Sequence, residues 1–261
     1  MNKRLSRAYS TIGHFFYGLY AWVVFLLAIL FSIICATILP GLDRRRRWVS
    51  RAARAFFILA GIRSKVTGLK RLPADHCIVV ANHASYADGV ILHAFLPPRF
   101  SFVIKGEVRS VPILHFVLRR VGSKFVERFV AAGSSRDART LVKAAARGES
   151  LAIFPEGTFI ATPGLGRFRP GAFSAALKGE LPVVPVAIHG SRKMMPAKTI
   201  WPRPASLHID IRQPIGVSDS AFESSSKLAE VARQRILEVL DEPDLLLSDS
   251  PASTEESKQQ S

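Results

Sequence analysis

The hydrophobic pattern divides the chain into three regimes. From Ala21 to Leu39 no charged residue occurs. As a helix this run would be about 28 Å long, close to the thickness of a bilayer core. Pro40-Gly41 ends it, and Tyr17, Tyr20, Trp22 and Trp48 flank it as rings suited to a membrane interface. A second apolar stretch, Ala52 to Ile62, follows a run of arginines and reads as an amphipathic helix at headgroup level. The pattern therefore predicts an N-terminal membrane helix, or a helical hairpin dipping into one leaflet, and it leaves both open. The run is longer than the core of a cleaved signal peptide, and no small-x-small cleavage site follows it.

Past residue 62, short apolar runs alternate with helical periods. Strands are predicted at Cys77–Ala81, Phe100–Ile104, Lys124–Glu127, Leu151–Phe154, Val183–Ile188 and Leu207–Arg212. Helices are predicted near 85–96, from Pro112 to Val121, from Ser135 to Arg147 with Gly148 as its stop, from Gly171 to Lys178 with Gly179 as its stop, and from Ser220 to Leu240. Strands alternating with helices imply an α/β fold with a mixed, largely parallel sheet flanked by helices. Residues 241–261 are rich in Ser, Glu, Asp and Gln and read as a disordered tail. The expected organisation is a membrane anchor over 1–61, an enzyme domain over 62–240 and that tail.

Charge sharpens the picture. Lys plus Arg number 36 against 20 Asp plus Glu, a formal charge of +16 in 261 residues. Such an excess favours anionic partners. The apolar segment points to membrane lipids, and no zinc-ligand pairs or RNA-binding aromatic strand point to nucleic acid. Arg44–Arg47, Arg51 and Arg54 form the denser basic cluster, which by the positive-inside rule puts the body on the cytoplasmic side, beside anionic lipid. The two cysteines, Cys35 and Cys77, read as small core hydrophobes, with neither a disulfide nor a metal site implied.

Two segments carry candidate chemistry. Asn82-His83-Ala84-Ser85-Tyr86-Ala87-Asp88 follows a buried strand and opens a helix. Sites in open α/β sheets form at the carboxyl ends of strands, where a histidine is a usable base near neutral pH. In one ideal helix His83 and Asp88 would point about 140° apart. With His83 in the turn and Asp88 in the first helical turn they can meet, and the carboxylate would fix the imidazole tautomer. Ser85-x-x-Asp88 is also a capping box, a purely structural reading of the same residues. The second segment, Phe154-Pro155-Glu156-Gly157-Thr158, likewise follows a buried strand. Gly157 permits close backbone approach, Thr158 offers a hydroxyl, and Glu156 could accept a bond from a substrate hydroxyl or orient an arginine. A plain strand-to-loop turn is the structural alternative. No Gly-x-Ser-x-Gly elbow is present, and Gly164-Leu165-Gly166 lacks the third glycine and the setting of a dinucleotide loop.

In their order and separation these segments resemble the glycerolipid acyltransferase family. His83 and Asp88 match its His-x4-Asp motif and Phe154–Thr158 its Phe-Pro-Glu-Gly-Thr motif. Gly122–Arg128 is similar to its second motif, Val184-Pro185-Val186 to its fourth, and Phe168–Gly171 and Lys105-Gly106-Glu107 to further recurrent segments, the whole covering roughly residues 62–215. The resemblance implies transfer of an acyl group from acyl-CoA or acyl carrier protein to the hydroxyl of a lysophospholipid. It implies His83 with Asp88 as the catalytic pair and Arg128 as the contact to the acceptor phosphate. Glu156, Gly157 and Thr158 would shape the acceptor site, with Lys105 and Arg169 as further cationic contacts. It requires no cofactor and no metal. Kept beside it are an acceptor with another headgroup, such as a lyso-ornithine lipid, a thioesterase-like hydrolase using water, and a silent lipid-binding protein.

Overall fold

The computed structural model describes residues 3–126, 135–197 and 199–248. Helix α1 (Lys3–Ile38) and helix α2 (Leu42–Leu59) form an antiparallel hairpin at the N-terminus. The arginine run thus lies within α2, which starts ten residues before the predicted amphipathic stretch. Then follow β1 (Arg63–Thr67), β2 (Ile78–Ala81), α3 (Asp88–Phe95), β3 (Ser101–Lys105), α4 (Pro112–Arg120), β4 (Lys124–Val126), α5 (Ser135–Ala146) and β5 (Leu151–Ile153). The chain continues through α6 (Gly171–Gly179), β6 (Val183–His189), α7 (Ser191–Met194), β7 (Ser206–Ile211), α8 (Ser225–Leu237) and α9 (Leu245–Ser248).

The described residues form one seven-stranded sheet in the order β1-β7-β6-β2-β5-β3-β4. Strands β6, β2, β5, β3 and β4 are mutually parallel; β7 turns antiparallel to β6 and carries β1 with it. This is the mixed, largely parallel α/β sheet the sequence predicts. Strand β2 sits at its centre, buried at every position. Alternate residues face two cores. Ile78, Val80, Leu151, Ile153 and Val183 meet α5, α6 and α8, whereas Cys77, Val79, Ala81, Val184 and Val186 meet α2 and α3. Both cysteines are buried and free, and burial pushes the Cys77 thiol up to about 11.

The differences from the sequence reading have local causes. Strand β1 was not expected because Arg-Ser-Lys-Val-Thr has no apolar run; it is the sheet's edge and only half covered. The helix expected over 220–240 breaks at Ser224, whose side chain caps α8 by accepting from Lys227 N–H. Helix α6 runs through Gly179, and the left-handed residue that ends it is Glu180, φ +50°. Within the expected tail, Glu242 contacts Gly164 and Arg192, and Asp244 contacts Arg233. Residues 249–261 lie outside the described residues.

Helix α1 is docked at both ends. Trp201 Nε1 donates to His14 O at 3.1 Å, with its ring stacked on Phe15 at 5.3 Å, and Trp22 Nε1 donates to Ile200 O at 3.0 Å. At the far end Arg120 Nε donates to Ala36 O at 2.7 Å. Between these points Leu19, Val23, Leu26, Leu27 and Leu30 stay exposed.

Candidate active site

Strand β2 delivers the first segment. Asn82 extends the pairing of β2 with β6 by side chain: Nδ2 donates to Ile188 O at 3.0 Å and Oδ1 accepts from Ile188 N–H at 2.7 Å. This fixes the strand's last peptide, and His83 leaves the sheet from a rigid support. The chain then turns through Ala84–Ala87 into α3, whose first residue is Asp88.

Asp88 is fully buried, and its Oδ2 is the focus of the turn. It accepts from Ala84 N–H and Ser85 N–H, each at 2.7 Å, and lies 2.9 Å from His83 Nδ1. One limb of the capping box therefore exists, Ser85 N–H to Asp88. In the other, Ser85 Oγ accepts from Ala87 N–H at 3.2 Å, one residue short of Asp88, while donating to Met195 O at 2.9 Å. The expected cap contact and the expected contact to His83 fall on one oxygen. With Nδ1 held by a carboxylate, Nε2 is the ring nitrogen able to take a proton. The imidazole lies flat on Phe154, centroids 4.3 Å and 18° apart, and meets the edge of Phe159 at 4.9 Å. Its side chain keeps 19% of its surface exposed, so the ring is not sealed in the core.

Strand β5 delivers the second segment. Val80 pairs with Ile153 in the parallel register of β2 and β5, which brings His83 and Glu156, each three residues on, to the same level. Glu156 Oε1 accepts from His83 N–H at 2.7 Å and Oε2 from Gly166 N–H at 3.0 Å. Burial raises the Glu156 carboxyl above its ordinary range, against the lowering effect of these two N–H bonds. Both oxygens are engaged by backbone, so Glu156 clamps the histidine's own peptide to the following loop. Each carboxylate oxygen keeps a second acceptor position, on which the expected contact to a substrate hydroxyl would fall. Gly157, φ +78°, closes the turn by donating to Phe154 O at 3.0 Å, a conformation L side chains rarely adopt.

The structure thus brings His83, Asp88, Glu156 and Gly157 together. Thr158 is exposed beside them. Lys105 ends β3, which β5 separates from β2, so it stands roughly 10 Å across the sheet edge; its Nζ pairs with Glu107 at 2.6 Å. Arg169 anchors its backbone N–H on Pro155 O at 2.9 Å and is exposed. Arg128 lies outside the described residues. The sequence reading did not assign Asn82, Phe159 or Gly166, whose partners are remote in sequence. Among the described residues no group of three metal-ligating side chains converges.

The arrangement is a histidine whose Nδ1 is held by a buried carboxylate at the carboxyl edge of a parallel sheet. The acyltransferase family matches residues 63–189, which hold His83, Asp88 and Glu156. The Saccharomyces cerevisiae protein named 1-acyl-sn-glycerol-3-phosphate acyltransferase is 28% identical over 249 residues, 89% of this chain and 80% of its own. A Pseudomonas aeruginosa protein of the same name is 30% identical over 192 residues, 69% of this chain and 71% of its own. The crystal structure of the 1-acyl-sn-glycerophosphate (LPA) acyltransferase PlsC from Thermotoga maritima shares the fold, with a TM-score of 0.72 at 22% identity, covering 88% of this chain and 97% of that one. The chain belongs to the glycerolipid acyltransferase family, among whose members are the 1-acyl-sn-glycerol-3-phosphate acyltransferases, and it is an acyltransferase.

Proposed function

We propose that the protein transfers an acyl group from a thioester, carried by CoA or acyl carrier protein, to the free sn-2 hydroxyl of 1-acyl-sn-glycerol 3-phosphate, giving phosphatidic acid. The observation that carries this reading is the His83–Asp88 pair, with Nδ1 held at 2.9 Å on a half-buried ring whose Nε2 is then the nitrogen able to take a proton. Nε2 takes the proton of the acceptor hydroxyl as its oxygen bonds to the thioester carbonyl carbon. The tetrahedral adduct collapses, the C–S bond breaks, and the imidazolium returns its proton to the departing thiolate. Such base assistance is worth about 10² to 10⁴ in rate. Asp88 stabilises the imidazolium while it exists. Lys105 and Arg169, with Arg128, supply positive charge for the acceptor phosphate. Thr158 and Gly157 line the acceptor side.

Both lipid substrate and lipid product favour a site held at the bilayer. The two docking points of α1, His14 and Ala36, lie roughly 33 Å apart along the helix, about the thickness of a bilayer core. A helix crossing the membrane would carry these two contacts to opposite sides, yet both are made by the same domain. We therefore place α1 along one leaflet, exposed apolar face inward. The arginines of α2 favour the cytoplasmic leaflet.

The test is thiol release from acyl-CoA and from acyl carrier protein thioester by detergent-purified protein, with and without lysophosphatidate, beside His83→Ala. Release that requires the acceptor, yields phosphatidate and is lost in the variant is the expected result. Equal release without acceptor would make the protein a hydrolase. Faster transfer to a phosphate-free lysolipid would overturn the proposed acceptor.

A further inference from the structure

The segment after α8 is held in place by a set of charges that the transfer reaction does not use. Arg233 on α8 is 1% exposed. It pairs with both oxygens of Asp244, Nη1 to Oδ2 at 3.0 Å and Nη2 to Oδ1. Its Nε donates to Gly166 O at 2.9 Å and its Nη2 also to Leu165 O at 3.1 Å. Glu242 accepts from Gly164 N–H at 2.8 Å and from Arg192 through Nε and Nη2 at 2.8 and 3.0 Å. Arg192 Nη1 donates in turn to Ile160 O at 2.8 Å. Leu165 and Asp244 form a parallel bridge, with Leu165 N–H on Pro243 O at 2.9 Å and Leu245 N–H on Leu165 O at 3.3 Å.

The loop being held is the one that follows the Glu156 turn. Gly166, gripped at its carbonyl by Arg233, donates its N–H to Glu156, and Glu156 accepts from the N–H of His83. Gly164 has φ +140°, and a Cβ there would fall 2.5 Å from Leu245 Cγ and 2.9 Å from Pro243 O. The Gly-Leu-Gly sequence is thus shaped to receive the C-terminal segment, with Leu165 buried between the two glycines. A buried ion pair of this kind is poor at adding stability but good at fixing one geometry.

We propose that Arg233, Asp244 and Glu242 are positioning residues for His83. The segment Glu242–Leu245 clasps residues 160–166, and the clasp acts through Gly166 and Glu156 on the histidine peptide. Because the Arg233 guanidinium holds the Asp244 carboxyl below its ordinary range, the clasp stays charged at neutral pH. The effect on turnover rests on the acyl-transfer reading above; the effect on His83 geometry does not.

The experiment uses full-length protein with Asp244→Asn, and with Glu242→Gln, which leaves buried Arg233 its partner. Glu238→Gln, which removes an exposed ion pair with Arg212 near the same helix, is the control. Three quantities are read: backbone amide exchange over 157–166, the downfield proton of the His83–Asp88 hydrogen bond assigned by its loss in His83→Ala, and kcat with both KM values. The expected result in the clasp variants is exchange at least ~10-fold faster in 157–166 only, a weakened downfield signal, and kcat lower by about 10-fold or more with KM within about twofold, as a small misplacement of a catalytic group produces. An unchanged downfield signal and kcat would overturn the proposal, as would acceleration of exchange throughout the domain, which marks a merely structural role. If wild-type protein transfers no acyl group, the transfer reading fails, and exchange with the imidazole signal still decides the clasp.

Discussion

Asp88 Oδ2 lies 2.9 Å from His83 Nδ1 and simultaneously accepts the N–H groups of Ala84 and Ser85 at 2.7 Å. One oxygen therefore shapes the turn and orients the imidazole. Asp88→Asn separates the two duties. Its amide oxygen can still face the two peptide N–H groups, and its NH2 would occupy the place of Oδ1, which has no protein partner. What is lost is the negative charge that favours the imidazolium. The expected result is a kcat lower by about 10² to 10⁴ with lysophosphatidate, and a far-ultraviolet circular dichroism spectrum like that of wild type. Wild-type turnover in this variant would remove Asp88 from the mechanism.

Glu156 provides a pH signature. Burial raises its carboxyl above the unfolded value, so the folded state binds the proton more tightly than the unfolded chain. The sign follows from linkage: its contribution to stability is fully present below the unfolded pKa and is lost as pH rises through the folded value. Glu156→Gln has no such term. The difference in melting temperature between wild type and Glu156→Gln is therefore expected to shift in favour of wild type as pH falls from 7 toward 4.5. A difference independent of pH would mean that the carboxyl does not titrate anomalously. At neutral pH the variant turns an NH2 against one of the two N–H donors, so lower kcat is expected despite the removal of a buried charge.

The site was legible where chemistry is local and opaque where it is long-range. His83, Asp88 and Glu156 sit directly after buried apolar strands, and short apolar runs announce such strands. The five-residue spacing of His83 and Asp88 fits a turn followed by a helix start. By contrast, Glu156 meets Gly166, Asn82 meets Ile188 and Glu242 meets Arg192, and no periodicity encodes those partners. Composition conceals the contacts of Glu242 and Asp244 for the same reason. Their acidic side chains look solvent-bound until Arg233 and Arg192 are brought to them by the fold. The hydropathy of α1 reported an apolar helix correctly, but not which of its faces is already covered by the domain.

Arg46 is a further residue that composition conceals, one of four consecutive arginines yet buried. It donates Nε to Val121 O at 2.8 Å, Nη1 to Arg99 O at 3.0 Å and Nη2 to Ser101 Oγ at 2.5 Å. It therefore joins α2 to the start of β3 and the end of α4. Arg46→Ala leaves these acceptors unsatisfied and is expected to cost roughly 3 kcal/mol or more. Arg46→Lys supplies one donor site in place of the fork and is expected to fall between. Neighbouring Arg47, which is exposed, is expected to change stability by less than about 0.5 kcal/mol when replaced by Ala. Urea denaturation in one detergent at fixed protein concentration orders the three; equal losses at Arg46 and Arg47 would contradict the buried fork.

The orientation of α1 can be decided by the accessibility of its two ends. Arg120 reaches the carbonyl of Ala36 and Trp201 that of His14, and Gly18 has no side chain to obstruct the indole of Trp201. These contacts require both ends of the helix to stand on the domain's side of the membrane. His14→Cys near one end, whose backbone carbonyl is kept, and Asp43→Cys just past the other, each in a Cys35→Ala, Cys77→Ala background, place single thiols at exposed positions off the apolar face. A membrane-impermeant maleimide is expected to label both in inside-out vesicles and neither in intact cells. Labelling of His14→Cys alone from outside the cell would mean that the helix spans. Trp201 would then have to leave His14, and the loop carrying Ile200 could not stay against Trp22 while the enzyme is embedded. Because that loop begins at Met195, whose carbonyl accepts from Ser85, a spanning helix would also disturb the turn between His83 and Asp88. A one-leaflet helix keeps the catalytic turn and the lipid surface within one rigid frame, which is why labelling of both ends from the same side is the expected outcome.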